Sequence, residues 1–441
     1  MKKILALALA AAMVFSLAAC GGGGNGGGGG NDGGAADQGS ASADVTPDEG
    51  GGAAVATPHA NEDGSPNLDM IAYYDPNYDY SANETLRSAY ITSASGPLYQ
   101  EADEAYGIWS NMMNMQYLGM SSAEGDNDQY MTLLQNHLDQ GVDILILDPD
   151  VTIWPSIQPI LANYPDVQWM GMMASAVDAD GQLIHPFCGF DHYVAGEMEM
   201  EKLFDWMNET YPDADWSTVG CIAMDYSLSP PLHQRVEAAQ DYWAANAPAE
   251  AQNNLFLADC SSTGLSIQGG LDAASPVVST NTNIQYWLIQ GNIDDWAQGA
   301  VTAVESAGLG ETSCGVTFGG AGLRSQWDAG TQNCWRYALN CATFLYAEPI
   351  IGACYAFAQG WATPDSIWPS WVNVNDHGGP DHTYSKMLLP TAWLDYDNYQ
   401  QYYEWVDLYA GTNTYPYDVE VTLDAFPSTT TDVPEYYSVE Q

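Results

Sequence analysis

The stretch QYWLIQGNIDDWAQGAVTAVESAGLG, residues 285–310, decides the fold. Residues 285–290 read as a short buried strand, and residues 291–295 as an acidic turn. From Trp296 onward, Ala297, Ala300, Val301 and Val304 recur at the spacing of one helix face, and Gly308 and Gly310 supply the stop. A strand, a polar turn and a helix make half of a βαβ unit. In open α/β sheets ligands bind just past the strand C-termini, and Asp294 and Asp295 stand there. An aspartate in this place also serves as a helix cap, so both roles stay open.

The same layout extends in both directions. Upstream, strands are expected at 89–94, 115–118, 142–147 and 167–172. Between them come a helix reaching Met113, one capped by residues 125–128 and closed by Gly141, and one at 155–163. Residues 142–147 are continuously apolar, as in a parallel strand covered on both faces. Residues 187–192 read as a crossover. A second series follows: helix 195–210, strand 218–224, helix 231–246, strand 255–258, helix 265–275, the opening unit, strand 315–318 and a helix to Gly330. Then come a strand at 342–346, a helix at 349–359 and a late strand at 387–393. Residues 67–87 read as an extra arm packed on the surface. Two consecutive βα series predict an α/β fold of two Rossmann-like lobes with a ligand cleft between facing strand ends.

The formal net charge is −49, from 8 Lys+Arg against 57 Asp+Glu. Such a surface repels nucleic-acid phosphates and anionic headgroups, which excludes nucleic acid as a partner. It favours a neutral or cationic ligand. Lys2 and Lys3 precede an apolar run at 4–19, the pattern of a secretory signal. The run ends Leu17-Ala18-Ala19-Cys20, which resembles the bacterial lipobox; the resemblance implies cleavage before Cys20 and a lipid on its thiol. Residues 21–67 are rich in Gly, Ala, Asp and Ser without apolar period, as expected of a disordered tether. The protein is thus expected at the cell membrane, lipid-anchored on the extracellular face, or in the periplasm where there is an outer membrane. Seven further cysteines lack any CxxC or Cys/His spacing, so no metal site is expected, and disulfide pairing stays open.

Three segments resemble the type I periplasmic solute-binding proteins of ABC transporters, the ribose- and galactose-binding branch. DNDQYMTLLQNHLDQGVDILILDPD at 126–150 matches the family's helix, Gly, Val-Asp, strand and Pro. GFDHYVAG at 189–196 matches its crossover Asp and Gly, and IDDWAQGAVTAVESAG at 293–308 its Asn-Asp and Ala-x-Gly-Ala pattern. The likeness covers residues 88–394. It implies lobes at 68–190 with 321–364 and at 191–320 with 365–395, joined by a multi-crossover hinge, and a C-terminal extension at 396–441. The family's ligand contacts fall on Leu98 and Tyr99, Asp148, His233, Arg235, Cys260, Ile293 beside Asn292, Asp294 and Tyr346. Its Asp-Arg pair falls near Met173 and Ala174, and the Asp of its Gly-Phe-Asp-Gly near Phe318 and Gly319; both are absent.

The candidate ligand-binding residues are therefore Tyr99, Asp148, Asp150, Trp154, His192, His233, Arg235, Asp294, Trp296 and Tyr346. Aromatic platforms are plentiful and polar partners few, and Asp148 ends a buried strand. The expected function is the lipid-anchored solute-binding component of an ABC transporter. It would be a monomer working with permease subunits, without cofactor or metal, and would capture a small neutral ligand such as a sugar or sugar derivative. The alternatives are a ligand sensor of the same fold signalling to a membrane partner, and an extracellular glycoside hydrolase. No Ser-His-Asp elbow, HExxH or P-loop is present, and no enzyme activity is expected.

Overall fold

The computed structural model describes residues 57–172, 175–178, 182–340, 343–372, 384–389 and 391–404. The leader with Cys20, the tether, Met173, Ala174, Cys341 and most of the C-terminal extension lie outside these residues.

The first series runs β1 (Leu86–Thr92), α1 (Pro97–Met112), β2 (Met115–Ser122), α2 (Asn127–Asp139), β3 (Ile144–Asp148), α3 (Trp154–Leu161) and β4 (Gln168–Gly171). Its four strands form a parallel sheet in the order β2-β1-β3-β4. The apolar run of β3 splits by strand period. Ile144 and Ile146 enter the core under α1, whereas Leu145 and Leu147 enter the one under α2 and α3. Asp126 sets the start of α2 by accepting from the backbone N–H of Asp128 and Gln129.

The second series follows β5 (Phe187–Gly189). It runs α4 (His192–Thr210), β6 (Val219–Asp225), α5 (Pro230–Asn246), β7 (Leu255–Asp259), α6 (Ile267–Thr280), β8 (Tyr286–Gln290), α7 (Asp294–Ser306), β9 (Cys314–Phe318), α8 (Ala321–Asp328) and β10 (Trp335–Asn340). Then come α9 (Thr343–Ala358), β11 (Lys386–Leu388) and β12 (Ala392–Leu394). The second sheet has the order β12-β10-β9-β8-β6-β7, parallel except for β12. β11 pairs with β5 as a separate ribbon. Cys221 and Ala223 of β6 face the core under α4 and α5, and Ile222 and Met224 that under α6 and α7. The helices α6 and α7 cross closely because Gly270 and Gly299 lie at the contact. A Cβ on Gly299 would collide with the Ile267 carbonyl oxygen and the Leu271 nitrogen.

The structure corrects the sequence reading in four places. The strand expected at 342–346 is found at 335–340, and α9 already runs from Thr343 through Pro349. Ile350, Ile351, Ala353, Cys354, Tyr355 and Ala356 are all buried, so this helix is apolar all round and shows no amphipathic period. Residues 321–340 lie with the second sheet, because β10 pairs with β9; the return to the first sheet is made by α9, which packs on α1, β3 and β4. The late strand is two strands with different partners. Finally, the arm is not on the surface: Ile71, Ala72 and Tyr73 are buried in the core with α1 and α9.

The arm is held by α9. The Tyr74 N–H donates to Glu348 Oε1 at 2.8 Å, and the Ala72 carbonyl lies where a side chain on Gly352 would stand. Gly352→Ala is expected to displace the arm and cost about 1–3 kcal/mol, read as a lowered denaturation midpoint; an unchanged midpoint would detach the arm from the core's stability.

The cations rest on aromatic faces more than on carboxylates. Lys202 lies over Tyr337, Arg235 over Phe318, Arg324 over Tyr403, Arg336 over Trp206 and Lys386 over Phe187. Cys188, Cys221, Cys260, Cys314, Cys334 and Cys354 are buried free thiols. Among the described residues no helix is long and apolar enough to cross a membrane, and no group of three or more His, Cys, Asp and Glu side chains is placed to hold a metal ion.

Candidate functional site

The strand C-termini carry the polar residues, as expected of doubly wound sheets. On the first sheet, Thr92 ends β1 in register with Asp148, which ends β3. Thr92 Oγ1 donates to Ala94 O at 3.0 Å and to Asp148 Oδ2 at 3.3 Å. Burial lifts the Asp148 carboxyl to about 7, and Thr92 eases this slightly. Tyr99 lies on the first turn of α1. Its phenol is pushed up by burial, then by the charges of Asp148 and Asp295. One half-buried ring from α1 is thus influenced both by a carboxyl of the first sheet and by a carboxyl that follows β8 of the second.

The second-sheet wall is built by the turn after β8. Asn292 takes φ of 61°, a left-handed conformation that Asn tolerates. Its side-chain amide donates to Met224 O and Leu232 O, both at 3.0 Å. Arg235, only 2% exposed, donates from Nη1 to Asn292 O at 2.6 Å and to Asn292 Oδ1 at 3.2 Å, and its guanidinium stacks 3.9 Å above Phe318. Its Nε and Nη2 point to His192 Nδ1 at 3.2 and 3.0 Å. Nδ1 must therefore be the acceptor, which leaves the proton on Nε2. Burial, then Arg235 and Lys386, hold this imidazole well below its ordinary pKa, so it is neutral.

Asp294 opens α7 without capping it. Its carboxylate accepts from the backbone N–H of Gly320 at 2.9 Å and Gly322 at 2.8 Å, and from Thr317 Oγ1 at 3.2 Å. Asp294 thereby fixes the glycine turn between β9 and α8. Burial raises it to about 6; the Gly322, Gly320 and Thr317 hydrogen bonds oppose this. Asp295 is half-buried and raised by burial, and its charge acts on Tyr99.

The sequence candidates therefore separate. Tyr99 is influenced by Asp148 and Asp295, while Asp294 is taken up by the glycine turn after β9. Arg235 and His192 support the turn after β8. His233 pairs with Asp225 at 2.9 Å at the end of β6, and that hydrogen bond raises its pKa. Asp150 is exposed and caps Thr152. Trp154 is enclosed against Trp169 in the core under α2 and α3. Trp296 is enclosed too, stacked 5.7 Å from Tyr226, with Nε1 donating to Gly264 O. Tyr346 lies on α9 in the first core, edge-on to Phe190. All three rings are fully buried within the packed cores. Asp295 and Asn292, both noted in the turn after the strand, were left out of the ten candidates. A groove of about 250 Å³ lined by Trp206, Trp327, Arg336, Tyr337 and Asp395 opens at the N-terminal end of β10, away from these strand ends.

No family model and no curated protein matches the chain in sequence. Solved structures do match in fold. The periplasmic solute-binding protein of an ABC transporter from Actinobacillus succinogenes, with bound D-allose, gives a TM-score of 0.55 at 15% identity, covering 72% of this chain and 100% of that one. A galactofuranose binding protein gives 0.55 at 13% identity, over 74% and 99%. A 5-methylthioribose transporter solute-binding protein from Thermotoga lettingae gives 0.52 at 16%, over 75% and 94%. These neighbours are binding proteins, not enzymes.

Proposed function

We propose that this chain, with the fold of the type I periplasmic solute-binding proteins, captures a sugar or sugar derivative between its two sheets and presents it to the permease of an ABC transporter. The carrying observation is that Tyr99, on α1, feels the charges of both Asp148 at the end of β3 and Asp295 at the start of α7 beside the second sheet. A guest at that ring would touch both sheets at once, which lets binding drive closure. The neighbours, two with bound allose and 5-methylthioribose and one a galactofuranose binding protein, support the ligand class. In this reading Cys20 carries the lipid that holds the protein at the outer face of the membrane, and the body works as a monomer.

Native mass spectrometry of protein purified without refolding, followed by a melting-temperature panel of sugars, tests this. A retained or stabilising sugar, left chemically unchanged, is the expected result. Asp148→Asn should weaken it at least tenfold, since a carboxylate acceptor is worth about 1.5–3 kcal/mol. A panel without any stabilising sugar, or turnover of the sugar, overturns the reading. The intact mass of the first mature residue tests the anchor separately.

A further inference from the structure

We infer that the groove at the N-terminal end of β10 is a second binding site, which takes the carboxylate end of an acidic sugar, in its simplest form a hexuronate. The groove lies at the opposite end of the second sheet from the strand C-termini, so the inference is independent of the cleft reading.

The groove has a volume of about 250 Å³. Its walls are Trp206 from α4, Trp327 from α8, Trp335, Arg336 and Tyr337 from β10, and Asp395 after β12. Clefts for drug-sized ligands run to about 300–1,000 Å³, so this one has room for a single small guest.

Two of the chain's few cations meet here. Arg336 lies over the Trp206 ring at 5.5 Å. Lys202, one helical turn before Trp206, has Nζ 4.5 Å from the centre of the Tyr337 ring. With 57 Asp and Glu against 8 Lys and Arg, a carboxylate partner for each is the ordinary arrangement. Neither has one: the ion pairs among the described residues are His233 with Asp225, His233 with Glu237, and Arg324 with Asp328. Stacking engages the flat face of the Arg336 guanidinium, and its Nε donates to Ser313 O at 3.3 Å. Both Nη groups are left without an acceptor among the described residues. A guanidinium edge with free donors is the shape that grips a carboxylate as a fork.

The other walls select a sugar acid over a bare carboxylate. The aromatic rings offer apolar faces to the C–H face of a pyranose. Asp395 turns Oδ1 to the backbone N–H of Asp397 and Asn398, which leaves Oδ2 to accept from a hydroxyl. Its charge also keeps the guest's carboxylate away from it and toward Arg336. The indole N–H of Trp335, a residue only 1% exposed, has no acceptor among the described residues, and an entering oxygen offers it one.

Isothermal titration of galacturonate and glucuronate into the protein, kept in excess galactose and glucose so that any hexose site is filled, tests the inference, with acetate as the control. One uronate is expected to bind per chain, at least tenfold tighter than acetate. Arg336→Lys keeps a cation over Trp206 but loses the fork, and should weaken the uronate at least fivefold; Arg336→Gln should weaken it at least tenfold. Melting temperatures without ligand show that each variant is folded. A sugar held in the cleft should stabilise both variants as it does the parent. The inference is overturned if no uronate binds, if acetate binds as tightly, or if a folded Arg336→Lys protein binds the uronate like the parent. None of these results touches the cleft reading, whose own panel decides it.

Discussion

Arg235→Ala is expected to abolish ligand capture and to destabilise the fold by about 3 kcal/mol. The guanidinium is the pillar beneath the turn that presents Asp294 and Asp295. It donates to Asn292 and to His192 while lying flat on Phe318. Removing it leaves the Asn292 carbonyl and the His192 nitrogen without donors inside the protein, and hydrogen bonds to charged groups contribute about 1.5–3 kcal/mol each. Asn292 would then hold its left-handed backbone with only its contacts to Met224 and Leu232. Arg235→Lys should recover little, because a point charge cannot reproduce the planar fork. Thermal melting and ligand titration read the two effects separately. A variant that melts and binds like the parent would show that the turn stands without this pillar.

Glu348→Gln is expected to stabilise the protein at pH 9 by on the order of 2–4 kcal/mol and to change little at pH 5. Glu348 is fully enclosed on α9; Oε1 accepts from Tyr74, and Oε2 has no partner. Burial raises its pKa from 4.5 to about 8. The folded state therefore holds a proton that the unfolded chain releases at lower pH. The stability from that proton is complete below about 4.5 and is lost as pH rises through about 8. Glutamine keeps the acceptor for Tyr74 and cannot ionise. The parent should melt at a lower temperature at pH 9 than at pH 5, and the variant should lose part of that difference. Glu199, raised to about 7 by burial with Arg235 and Gln290 opposing, accounts for part of the remainder with the same sign. Equal pH slopes in parent and variant would overturn the assignment.

The fold was legible because parallel strands covered on both faces read as apolar runs, and the glycine turns between elements are explicit in the chain. Where one helix is buried all round, as in α9, no period exists to read, and the strand was placed too late. The arm misled for a related reason. Its Asp and Tyr residues look solvated, yet Tyr74, Tyr78 and Tyr80 stack on one another and on Tyr355 and Trp361. That Asp148 ends a buried strand was readable from the apolar run before it. Trp154 and Trp296 were not separable from ligand platforms, because what faces an indole is decided by Trp169 and Tyr226, distant in the chain. Asp294 and Asp295 look alike in sequence. Only the glycine turn after β9, which claims Asp294, tells them apart.

The placement of cations on aromatic faces has a practical consequence. Between residues 57 and 404 the chain has six Lys and Arg: Arg87, Lys202, Arg235, Arg324, Arg336 and Lys386. Each lies inside a strand or helix, and none is exposed. Trypsin therefore finds no loop of this body to nick. Its cleavage rate becomes a direct gauge of whole-body unfolding, and a guest that closes the cleft should slow digestion in proportion to its occupancy.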